Sequence, residues 1–179
     1  MEEEKQIDIT LVRYDNNLRI GYEADEGSFR IETEDRPHPD LTKALADLVL
    51  IFITRMQLES VSERIHVIGL ESGKDDVGRW YRISGVYTAN LVAHKLVCPK
   101  LRYPGSEFWE DIEDPSQYPG KLTDQENESI EGCIAEARAF VVDGKRAQLR
   151  LDIDGGTDGK SDADGEDVVD PLQGWEDQL

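Results

Sequence analysis

From His38 to Gln57 the chain runs HPDLTKALADLVLIFITRMQ, and this stretch limits what the rest can fold into more than any other. Pro39 suits the first turn of a helix, and Asp40 suits the positive end of its dipole. Leu41, Ala44, Leu45, Leu48, Phe52 and Met56 recur at helical spacing. Val49, Leu50, Ile51 and Ile53 widen the stripe until Lys43, Asp47 and Thr54 remain as a thin polar seam. A helix this apolar has to be covered on most sides. The pattern predicts one long central helix with β segments packed around it, a core rather than a site.

The flanking segments carry the period of strands. Ile7, Ile9 and Leu11 alternate with polar neighbours, as do Leu18, Ile20 and Tyr22, then Phe29 and Ile31. Asp15-Asn16-Asn17 and Asp25-Glu26-Gly27 supply the turns of a three-stranded antiparallel meander with one face on the helix. Beyond the helix, Arg64 to Leu70 and Arg79 to Ile83 read as a hairpin closed by Ser72 to Asp76. The β pattern continues from Val86 to Cys98, bent near Gly85 or Asn90, and Pro99 ends it. A long connection from Arg102 to Gly120 holds Phe108, Trp109 and Tyr118 among acids. A second helix follows from about Asp124, opened by a Thr123–Glu126 capping box and closed at Gly144, with Ile130, Cys133, Ile134, Ala137, Phe140 and Val141 as its apolar stripe. The order βββ-α-ββ(β)-α predicts an α+β domain over residues 1–153, its sheet largely antiparallel, with an OB-like barrel as the alternative. Residues 154–179 form an acidic, Gly/Asp-rich tail, expected to be disordered, with a terminal apolar segment.

Charge is unevenly spread. The formal net charge of −19 divides into −4 for residues 1–104, −9 for 105–136, +3 for 137–151 and −9 for 152–179. Such a chain should avoid free nucleic acid and anionic membranes and approach basic surfaces. Its longest apolar run, Leu48 to Ile53, is far short of the roughly 20 residues that span a bilayer. Cys98 and Cys133 lie far apart in different predicted elements, which fits two buried thiols better than a disulfide framework.

The sequence offers no phosphate-binding glycine loop, serine elbow or zinc-protease histidine pair, so no catalytic residue, cofactor or metal is predicted. His94 and Cys98 share a strand face, but a structural zinc wants four ligands. In Asp152 to Asp167 neither register gives the oxygen ligands and the glycine of a calcium loop. Two stretches suit a partner instead. Gln148, Leu149 and Leu151 resemble the Gln-Leu-x-Leu-Phe peptides that dock on sliding clamps, with Asp152 where the aromatic belongs; the plain alternative is an edge strand. Val168, Leu172, Trp175 and Leu179 fall on one helical stripe flanked by acids, a docking segment anchored on Trp175 or a piece that folds back on its own domain.

Across Glu136 to Gln148, with its Gly144-Lys145-Arg146-Ala147-Gln148 run, the chain resembles a group of small uncharacterised tailed-phage early proteins, and Cys98 to Leu101 fits them loosely. The resemblance covers the carboxy-terminal third and supplies no catalytic residues. It implies a phage early gene product that serves DNA metabolism or interferes with the host. With the two buried thiols and the missing catalytic signatures, the expectation is a non-enzymatic protein of the bacterial host's cytoplasm that binds a protein partner in phage or host DNA transactions or host defence. That partner would present a basic or groove-bearing surface, and a homo-oligomer stays open. Two alternatives stand beside it. One is an acidic mimic of nucleic acid using the carboxylates of Glu107 to Glu136. The other is a single-stranded-DNA-binding protein with a groove built from Arg79, Trp80, Tyr81, Arg82 and Tyr87. A small-ligand pocket would be sought near His66 and His94.

Overall fold

The computed structural model describes residues 7–103, 113 and 118–146. All of them fall in one compact unit, Met1–Gln148; a second unit, Leu149–Leu179, lies outside the described residues. Six strands form one antiparallel sheet: β1 (Asp8–Tyr14), β2 (Leu18–Ala24), β3 (Gly27–Thr33), β4 (Ile65–Asp75), β5 (Gly78–Ala89) and β6 (Val92–Val97). Their spatial order is β3-β2-β1-β4-β5-β6, so β3 and β6 are its ends. The α+β class and the element order read from the sequence are those of the structure.

The expected single helix is two, α1 (Pro39–Asp47) and α2 (Val49–Met56). His38 caps α1, its Nδ1 accepting from the Asp40 amide, with Pro39 at the first helical position. At Leu48 (φ −70°, ψ −9°) the amide bonds back to Leu45, three residues away, which tightens the turn. Leu48 is fully buried, and the tightened turn lets Ile51, Phe52 and Ile53 all follow it into the core. The seam of Lys43, Asp47 and Thr54 is exposed as expected, and Leu50 joins it at 72% exposure. The apolar stripe is therefore narrower than the composition implied. A 3-10 turn, Glu59–Arg64, leads into β4.

β1 departs from simple alternation. A bulge between Ile9 and Leu11 inserts Thr10, so Val12, not Leu11, follows Ile7 and Ile9 inward. On the other flank of β1 the Ser72 hydroxyl donates to the Ile9 carbonyl. The β4–β5 hairpin is longer than its sequence signal. Ser72 to Asp75 stay paired with Gly78 to Tyr81, and the turn is Asp76-Val77, where Gly78 takes φ +116°. The anticipated bend at Asn90 is a two-residue hairpin turn, and Gly85 sits opposite a bulge between Val67 and Gly69 of β4.

α1 and α2 pack on β4, α2 also on β5, and the last helix, α3 (Asp124–Val142), packs on β1 and α1. α3 opens with both arms of the Thr123–Glu126 capping box and ends at Gly144, φ +66°, where the Lys145 amide returns to the Ala139 carbonyl. Its buried stripe is Ile130, Cys133, Ile134, Ala137 and Phe140. The two ends of the long connection are stitched together, because the Arg102 amide bonds the Gly120 carbonyl and the Leu122 amide bonds the Arg102 carbonyl. Phe108 and Trp109 lie outside the described residues.

Candidate interaction surfaces on the sheet

The proposed docking residues Gln148, Leu149, Leu151, Val168, Leu172, Trp175 and Leu179 all lie outside the described residues.

The set Arg79, Trp80, Tyr81, Arg82 and Tyr87 does not form one groove, because alternate residues of β5 point to opposite faces. Tyr81 points to the helices: its ring is buried and its hydroxyl donates to Glu131, with Arg79 over the ring and paired to Asp8. Burial and the Glu131 carboxylate both raise the Tyr81 pKa, so the phenol stays protonated as a structural donor. Trp80 and Arg82 point to the open face. The Trp80 ring lies against Gly73, where a Cβ would come within 2.7 Å of it. The Lys100 ammonium is 4.6 Å from its centroid and the Arg82 guanidinium 5.5 Å. Lys100 then reaches Asp75, which also accepts from the buried Arg102, whose other nitrogen donates to the Gly78 carbonyl. Those bonds hold the Asp75 carboxyl well below the usual range. The Trp80 ring thus has two cations of its own chain over it and is no free platform for a base.

The histidines do not meet. Tyr87 pairs with Ile65 on one side and with His94 on the other, stacked on the latter at 6.3 Å, whereas His66 is one residue along and so on the opposite face. Cys98 lies beyond β6, buried, its sulfur accepting from the Ile83 amide; burial raises its pKa, contrary to what a thiolate ligand requires. Sequence spacing gave no hint of a different cluster, His38, Asp40 and Glu136, whose ligand atoms lie within 4.8 Å. The Lys145 ammonium bonds both carboxylates at 2.7 Å, which makes the group a clasp between the start of α1 and the end of α3.

At the β5–β6 hairpin, anticipated as a bend near Gly85 or Asn90, sequence reasoning missed the apolar tip. Asn90 (φ 49°) and Leu91 (φ 65°) both take the left-handed conformation that a two-residue turn demands. Asn and Gly are the residues that accept this readily; Leu is strained there. Its side chain is nevertheless fully exposed, next to the exposed Val92, and Val97 is exposed at the other end of the same strand. Comparison of the chain with protein-family models, curated proteins and solved structures returns no match. No helix among the described residues is long and apolar enough to cross a membrane.

Proposed function

We propose that this chain is a non-enzymatic phage protein that binds a protein partner in phage or host DNA transactions or host defence, with the β5–β6 hairpin as a contact surface. The observation that carries this reading is Leu91. A bulky apolar side chain fully in solvent, on a backbone conformation that Gly would hold with less strain, does nothing for the isolated fold. It gains a purpose when a partner covers it together with its exposed neighbour Val92 and the adjoining end of β6. The phage context rests on the resemblance around Glu136 to Gln148. The two alternatives draw less support. Three carboxylates expected to mimic phosphates are engaged within the fold, Glu126 by Arg55, Glu131 by Tyr81 and Glu136 by Lys145. Trp80, wanted for stacking, is occupied by Lys100 and Arg82.

Leu91→Gly tests the reading. The substitution should leave the melting temperature unchanged or raised, since Gly relieves the strained turn. Capture of a host or phage protein by the immobilised parent, reconstituted from purified components, should be lost with Leu91→Gly. Equal capture by both places the contact elsewhere. A sub-micromolar, salt-sensitive complex of the parent with single-stranded DNA would promote the nucleic-acid alternative.

A further inference from the structure

At the other end of the sheet, β3 has an edge with no ladder on it among the described residues. Glu32 is paired through Arg19 on the neighbouring strand at 2.9 Å. Arg30 stands opposite Gly21, which has no side chain to answer it, and its charge acts on Glu32 of its own strand. The backbone of β3 is ordered for further pairing. Across the Asp25-Glu26 turn, Ala24 and Gly27 are opposed, as are Tyr22 with Phe29 and Ile20 with Ile31. In a two-residue hairpin those pairs exchange hydrogen bonds, so the amides and carbonyls of Ser28, Arg30 and Glu32 point away from the sheet.

We propose that β3 is the site of self-association: two copies of this chain pair their β3 strands antiparallel about a two-fold axis through Ile31. Symmetry and side-chain alternation allow few registers, and this one is self-complementary. Arg30 of each copy falls opposite Glu32 of the other, giving two reciprocal ion pairs between residues whose backbone groups also face outward. Ile31 meets Ile31, and Phe29 comes opposite Thr33, on the face where Tyr22 already stacks with Phe29 at 5.3 Å. Charge complementarity picks this edge over β6. There Lys95 would meet itself or Ala93, with no acid in the strand to answer it. An edge-to-edge strand pair buries little surface, so the dimer should be weak and concentration-dependent, micromolar at best, and weaker at high salt.

Sedimentation velocity of the full chain from about 1 to about 500 µM brackets such an association. The parent should pass from monomer to dimer across that range. Arg30→Glu and Glu32→Arg should each be monomeric, because each sets like charges opposite one another twice. Mixed one to one, they should form a heterodimer in which both charge pairs are restored. Should Glu32→Arg fail to fold, Ile31→Cys supplies a second reading. Two cysteines facing each other in a non-hydrogen-bonded pair have Cβ atoms about 4.5–5.5 Å apart, so mild oxidation should link the copies, whereas Phe29→Cys, opposite Thr33, should not link. A parent that stays monomeric overturns the proposal. So does a dimer indifferent to both charge reversals, a mixture that stays monomeric, or Ile31→Cys that does not link.

Discussion

Phe52 is fully buried on α2, and it owes its place to a side chain that is missing. A Cβ on Gly85 would lie 2.8 Å from the ring's Cε1, 2.9 Å from its Cζ and 3.2 Å from the His66 carbonyl. A ring in a close-packed core cannot fold away, so Gly85→Ala should overpack the site and destabilise by about 1–3 kcal/mol. Phe52→Leu removes the ring atoms that make the clash. It should cost roughly half of the ~3–5 kcal/mol of a Phe→Ala change. In the double variant the new methyl enters room the ring has left. The two costs should then fall short of their sum by about 1 kcal/mol or more, within the ~0.5–3 kcal/mol measured for contacting residues. A domain of ordinary stability, roughly 5–15 kcal/mol, survives each change. Urea denaturation of the four proteins, followed by far-ultraviolet circular dichroism, reads the differences in midpoint at a common slope. Costs that add to within about 0.3–0.5 kcal/mol would refute the packing of α2 on β5.

At the break between α1 and α2, Leu48→Asp should prevent folding by burying an unpaired charge, while Asp47→Leu on the exposed seam should fold; circular dichroism of the two decides it. Asp75 is held below its ordinary pKa, so its contribution is present above the unfolded carboxylate value of about 3.9 and is lost as pH falls below it. Thermal melts should therefore show the parent losing more stability than Asp75→Asn between about pH 5 and about pH 2; parallel curves would remove Asp75 from the hairpin's anchorage. Burial raises both thiols, Cys133 to about 12, so a thiol reagent should modify neither at the folded protein's neutral pH except at the rate of unfolding. Rapid stoichiometric labelling would contradict that.

What the sequence announced and what it concealed divide along a physical line. Strand and helix periods, the Thr123–Glu126 box and the Gly144 stop are local signals, and each element they mark is present. Leu11 does not face inward as alternation with Ile7 and Ile9 predicts, because a bulge shifts the pleat by one residue, and only the partner strand reveals it. The break at Leu48 arises from the packing of α1 and α2 on β4 and β5, a tertiary demand that helical spacing does not carry. The same holds for the surfaces. A Trp and two arginines in one β5 segment look like a groove, yet the pleat sorts them to two faces, and Lys100 comes from beyond β6 to cover Trp80. Leu91 had no signal beyond its place after Asn90, because an exposed side chain leaves no periodic trace.

The sheet order also sets how the chain must find its fold. β1, β2 and β3 pair with their neighbours in sequence, as do β4, β5 and β6, so each half is assembled from hairpins that close in microseconds. One ladder joins the halves, Leu11 to Glu71, Val12 to Leu70 and Arg13 to Gly69, and it must bring together residues separated by two strands and two helices. Chain entropy is lost in forming that seam before its contacts give anything back, which makes it the slow step. Shortening Val12 or Leu70 should then slow folding, whereas changes at the Asp15 or Leu91 tips should act on other rates, because those tips close early and independently of the seam.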